Sequence, residues 1–218
     1  MGVAEPVLAG DCVWYRGRTL SLAIAQGTGL FVPQKHGLKP RSAATPDRRG
    51  FACFYRVSED ALFLERLHLA LPYKEQLLVQ AGRGPLLLGL SARVEPEGRL
   101  RVLYSDMHAP VQFSGGMLLG DGYIHALALH GRELQLRRTT IHPAFEWREV
   151  HELIFEMGRL VEAQDCSEAV VRIREHLASE QFEPGSPEWQ AAHATLVAQA
   201  FRVDYGLPAL SSPSSWIR

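Results

Sequence analysis

Glu152-Leu153-Ile154-Phe155-Glu156-Met157-Gly158-Arg159-Leu160-Val161-Glu162-Ala163, followed by Gln164-Asp165-Cys166-Ser167-Glu168-Ala169-Val170-Val171-Arg172-Ile173, is where the chain changes period. The first part alternates apolar runs around Met157-Gly158-Arg159, which is turn chemistry, and predicts a β-hairpin. Beyond it the apolar residues Val170, Val171, Ile173 and Leu177 recur at helical spacing, and Asp165 with Glu168 fits a capping box. A helix is therefore expected over about 166–180. A second is expected over about 187–205, with Ser186 as N-cap, Pro187 at the first helical position and Gly206 and Pro208 as terminators. Trp189, Ala192, Leu196, Ala200 and Val203 form its docking face, and His176 and His193 are read as solvent-exposed helix residues.

Working outward toward the N-terminus, everything before this point reads as strand and turn. Cys12–Tyr15 and Thr19–Leu22 flank Arg16-Gly17-Arg18, and residues 51–57 and 61–69 flank Ser58-Glu59-Asp60, giving two more hairpins. Glu95–Gly98 is a turn before a strand at 99–104. Two strand candidates surround Gly115-Gly116, where a bulge or positive φ is expected, Asp121-Gly122 is read as a turn, and 133–138 alternates. Strand hairpins followed by helices predict an α+β fold: a mainly antiparallel sheet or partly closed barrel with two C-terminal amphipathic helices. One domain over residues 1–208 is expected, with 209–218, which includes Trp216, as a flexible tail.

Composition narrows the function. Lys and Arg number 23 against 24 Asp and Glu, so no global field draws the chain to nucleic acid or an anionic membrane. Hydrophobic residues make up 46% of the chain, an ordinary globular share, and its most apolar short run, 86–90, is far too short to span a bilayer. Cys12, Cys53 and Cys166 are widely spaced, as for reduced thiols, and Met1–Pro6 carries no export signature, so a cytoplasmic location is expected. His125 and His130 are five apart, which suits neither one helical face nor one strand face, so no metal site is expected. No phosphate loop, dinucleotide fingerprint or GxSxG motif occurs, and no cofactor is expected.

Two segments remain as candidate sites. Gly27 to Arg49 is a long, Pro- and Gly-punctuated basic loop, in which Lys35, His36, Lys39, Arg41, Arg48 and Arg49 could grip an acidic partner. Asp106 and His108 sit two apart before Pro110, spaced so that one orients the other as an acid–base pair, although no nucleophile accompanies them. These features favour a non-enzymatic protein-binding domain, of toxin-neutralising or scaffold type, with nucleic acid ranked below protein as partner because stacking aromatics are sparse beside the basic loop. A hydrolase or nucleotide-acting enzyme using Asp106, His108 and the basic loop is the alternative. Carriage of a small ligand inside a β-barrel, suggested by the aromatic strand residues Trp14, Phe54 and Phe63, is the third reading.

Overall fold

The computed structural model describes residues 10–41, 49–96, 100–127, 143–179 and 186–205. The alternating segments form strands β1 (Cys12–Tyr15), β2 (Arg18–Thr28), β3 (Phe51–Ser58), β4 (Ala61–Leu69), β5 (Leu86–Leu87), β6 (Leu90–Ser91), β7 (Arg93–Val94), β8 (Val102–Tyr104), β9 (Ala109–Pro110), β10 (Ser114–Tyr123), β11 (Trp147–Glu156) and β12 (Arg159–Asp165). Helix α1 spans Tyr73–Gln80, α2 Ser167–Ser179 and α3 Pro187–Ala200.

The main sheet runs in the order β12-β11-β10-β2-β1-β3-β4 and then meets itself, because Arg159 of β12 pairs with Ala61 of β4. Every neighbour in this ring is antiparallel except β1 and β3. The closing contact is short. Leu62 N–H donates to Gly158 O at 2.9 Å and Leu160 N–H to Asp60 O at 2.7 Å. Alternation then sends one set of side chains inward: Val13, Tyr55, Leu64, Leu67, Met117, Leu119 and Leu153 belong to one continuous core. The basic loop packs against that same core through Leu38 and Phe31.

The opposite faces of β10, β11 and part of β2 carry a second core, formed with the helices by Ile24, Leu118, Val150, Val170, Ile173, Trp189 and Val197. Two glycines of β10 make room for it. A Cβ on Gly116 would stand 2.1 Å from the Tyr205 hydroxyl, and one on Gly120 2.3 Å from the Trp147 indole. After α3 the chain is held by Glu152, whose buried carboxylate accepts from the backbone N–H groups of Arg202 and Val203, each at 3.1 Å. Ser186 caps α3 as expected, accepting from Trp189 N–H at 3.2 Å.

Several expectations are corrected. Gly115-Gly116 and Asp121-Gly122 all lie inside β10; Gly115 does adopt a positive φ of 141°, but the register shift falls at Leu118/Leu119. β2 continues to Thr28, six residues beyond Leu22, because it has β10 to pair with. The strand near 99–104 is regular only from Val102. Helix α3 ends at Ala200 rather than 205, since Phe201 is extended. His193 is not exposed: it is 2% accessible, parallel to the Trp189 ring at 5.3 Å and edge-on to Phe145 at 5.2 Å. Val171, expected on the buried face of α2, is exposed. Helix α1 was not expected at all. Residues 133–138, His130, Arg48 and the tail lie outside the described residues. Among the described residues no helix is long and apolar enough to cross a membrane.

Candidate functional site

The two C-terminal helices pack on the β11 side of the sheet and α1 on β7, which leaves the outward side of β1, β3 and β4 to be explained. An unremarkable solvated face would carry Thr, Lys or Glu at these positions. Register instead places Trp14 beside Arg56 and Arg56 beside Phe63 in one row, with Phe54 beside Arg66 in the next. The side chains are stacked. The Arg56 guanidinium lies over the Trp14 ring at 5.6 Å and that of Arg66 over Phe54 at 4.2 Å. Phe54 also meets the His68 ring at 5.3 Å. Trp14, Phe54 and Phe63 are half-buried and Arg66 is exposed.

A bulge in β4 makes this pattern. Tyr55 pairs with Leu64 and Phe54 with Arg66, so Glu65 is the extra residue. Phe63 and Arg66, three apart, can then both face outward while Leu62, Leu64, Leu67 and Leu69 all face the core. Glu65 uses its position to gather neighbours: its Oε1 accepts from Arg56 Nε at 3.2 Å and lies 3.2 Å from His108 Nδ1. His108 stacks flat on Phe63, with centroids 4.3 Å apart.

His108 thus joins the face, but through Glu65 and Phe63 and not through Asp106. Both Asp106 and His108 have left-handed backbones, with φ of 54° and 41°, on a turn pinned by Met107 N–H to Glu65 O at 3.1 Å. Asp106 is exposed and takes no part in the cluster. The basic loop lies elsewhere in the contact pattern. Lys35 and His36 sit on a 3-10 turn, Pro33–His36, between buried Pro33 and Leu38, and the His36 ring stacks on Phe31 at 4.7 Å. Lys39 and Arg41 are exposed, and the Arg41 backbone is tied to Ala70 O. Arg49 is engaged internally: it bridges Asp11 at 2.9 and 3.2 Å and covers Phe51 at 4.9 Å. Among the described residues, the loop cations and the Asp106–His108 turn share no partner.

A second polar cluster, unforeseen in the sequence, sits at the end of the ring near the β1–β2 turn. Arg18 contacts Glu149, Asp121 at 3.4 Å and His151 Nε2 at 3.3 Å, and His151 Nε2 lies 2.6 Å from Glu149 Oε1. Burial pushes the His151 pKa down, and Arg18 and Arg16 add to this against the pull of Asp165. A neutral ring holding its proton on Nε2 donates to Glu149. The signal was present: Glu149 and His151 are in phase with the inward Leu153 and Phe155, so the strand places polar groups on a core-facing side.

Exposed apolar residues gather elsewhere. Tyr73 and Leu77, four apart on α1, and Leu86 and Leu88 on the β5–β6 hairpin are all largely open to solvent. Among the described residues no group of three or more His, Cys, Asp or Glu side chains is arranged to hold a metal ion. Cys12, Cys53 and Cys166 are buried, and none of them is in a disulfide. No protein-family model, no curated protein and no solved structure matches the chain.

Proposed function

We propose that this chain is a non-enzymatic protein-binding domain of toxin-neutralising or scaffold type, and that it engages its partner through the outward face of β1, β3 and β4. The observation that carries the reading is the stacked Arg56–Trp14 and Arg66–Phe54 pairs on a face not occupied by the C-terminal helices. Trp and Arg are the residues that dominate binding energy at protein interfaces, and stacking holds each guanidinium in place before a partner arrives. The exposed apolar residues of α1 and β5–β6 add to the case for a protein partner. Charge argues in the same direction. Glu65 sits beside Arg56 and His108, and Glu95 lies 3.6 Å from His68 and 3.7 Å from Arg93, so the face is not the uncompensated basic stripe that phosphate backbones require. Three buried cysteines outside any disulfide suit a cytoplasmic site of action.

The test compares the wild-type chain with Trp14→Ala and Arg66→Glu variants, each immobilised and challenged with native-cell lysate, with bound species quantified by mass spectrometry. A stoichiometric protein lost at least about 30-fold with either variant is expected, as truncating a hot-spot residue costs about 2 kcal/mol or more. Equal recovery by all three chains, or recovery that a nuclease abolishes, would overturn the proposal.

A further inference from the structure

Strand β12 outruns its neighbour. It pairs with β11 from Arg159 to Asp165 but with β4 only at Arg159, because β4 begins at Ala61 and the chain there turns away into β3. From Val161 onward the second edge of β12 therefore has no strand beside it among the described residues. Next to it lies a cleft of about 470 Å³ lined by Tyr15, Arg16, Val57, the Glu59-Asp60 turn and residues 160–163 of β12. Exposed strand edges are ordinarily blunted by charges, bulges, Pro or a cover. β12 (Arg-Leu-Val-Glu-Ala-Gln-Asp) has no Lys or Pro, its charges from residue 160 on are the acidic Glu162 and Asp165, and its bulge falls at Val161, so the edge discourages acidic segments more than basic ones. Val161 is 48% exposed.

The chemistry of the cleft selects an occupant. Its apolar parts are Tyr15, Val57, Leu160 and Val161, and its rim carries Glu59, Asp60 and Glu162 against a single cation, Arg16. Arg202 compensates Glu162 at 2.9 Å, whereas Glu59 and Asp60 make no ion pair among the described residues. These two carboxylates occupy a two-residue hairpin tip with φ of 51° and 57°, a conformation that Asn-Gly would adopt with less strain.

We propose that a basic, extended peptide segment of a partner protein adds to the open edge of β12 as a further strand, in the line that β4 leaves vacant. Backbone groups of β12 give the pairing, alternate apolar side chains enter the cleft, and Lys or Arg side chains meet Glu59 and Asp60. This site is separate from the β1–β3–β4 face, and either can fail without the other.

The test titrates the full chain with fluorescein-labelled peptides: a seven-residue alternating Lys/Val peptide, its Glu/Val counterpart, and the Lys/Val peptide with N-methylated backbone. Saturable binding of the first is expected, at least tenfold weaker for the other two, with slowed amide exchange confined to residues 160–165. The double variant Glu59→Asn/Asp60→Gly keeps the hairpin tip and relaxes it, so it folds while weakening the Lys/Val peptide at least tenfold; Trp14→Ala leaves that affinity unchanged. No saturable binding up to 1 mM, equal affinity for the Lys and Glu peptides, equal affinity for the N-methylated peptide, or protection elsewhere would each overturn the proposal.

Discussion

Replacing His193 by Phe should make the fold markedly less sensitive to acid. The imidazole lies between Trp189 and Phe145, and neither ring nitrogen has a hydrogen-bond partner among the described residues. Desolvation pushes its pKa down to about 4 from an ordinary 6.5. The unfolded chain therefore binds a proton that the folded chain refuses between those values. Stability is fully present above about pH 6.5 and is lost as the pH falls toward 4. At about 1.4 kcal/mol per pH unit, the gap amounts to about 3 kcal/mol, most of it lost by pH 4.5. Other groups titrate in this window too, so the informative quantity is the difference between the wild type and His193→Phe, which keeps a ring against Trp189. Guanidinium unfolding followed by far-ultraviolet circular dichroism at pH 7.5 and 4.5 measures it. The wild type should lose about 2–3 kcal/mol more than the variant on acidification. Parallel losses, within about 1 kcal/mol, would refute the dry, neutral histidine.

Three further outcomes test how the helix layer and a strand turn are held. Gly120→Ala drives a methyl into the Trp147 indole and should destabilise by about 1–3 kcal/mol in thermal or chemical unfolding. Glu152→Ala leaves the Arg202 and Val203 amides without acceptors; a loss of about 2–4 kcal/mol and faster hydrogen exchange at those two amides are expected. Leu88, with φ of 50° ahead of Gly89 at 81°, fills a position that Asn takes more easily, so Leu88→Asn should raise stability by about 0.5–1 kcal/mol in the same assay.

The architecture was legible where pattern is local. Hairpins at 12–22, 51–69 and 152–163 follow from alternation around turn residues, and Ser186-Pro187 marks the start of α3 because capping chemistry involves adjacent residues. Even the β4 bulge is written in the spacing of Leu62, Leu64, Leu67 and Leu69, though it takes the paired strand to show that Glu65 is the residue set aside. Helix α1 escaped because Tyr-Lys-Glu-Gln-Leu-Leu-Val-Gln buries only Val79 and so carries no apolar stripe. His193 misled for a related reason: a histidine on a helix reads as polar until Phe145, distant in sequence, arrives to enclose it. The candidate site was the least visible part. Arg56 and Phe63 meet across the local β3–β4 hairpin, but Trp14 joins them only because β1 and β3 pair in parallel across the long 29–50 connection, and nothing local in either segment specifies that pairing.

The claim that the β1–β3–β4 face is a binding surface is tested most directly by hydroxyl-radical footprinting of the protein inside its native cells and, separately, after purification. Partner binding predicts that oxidation of Trp14, Phe54 and Phe63 falls several-fold in the cell, while that of exposed Met157 stays unchanged. Equal oxidation of the three aromatic residues in both settings would contradict it.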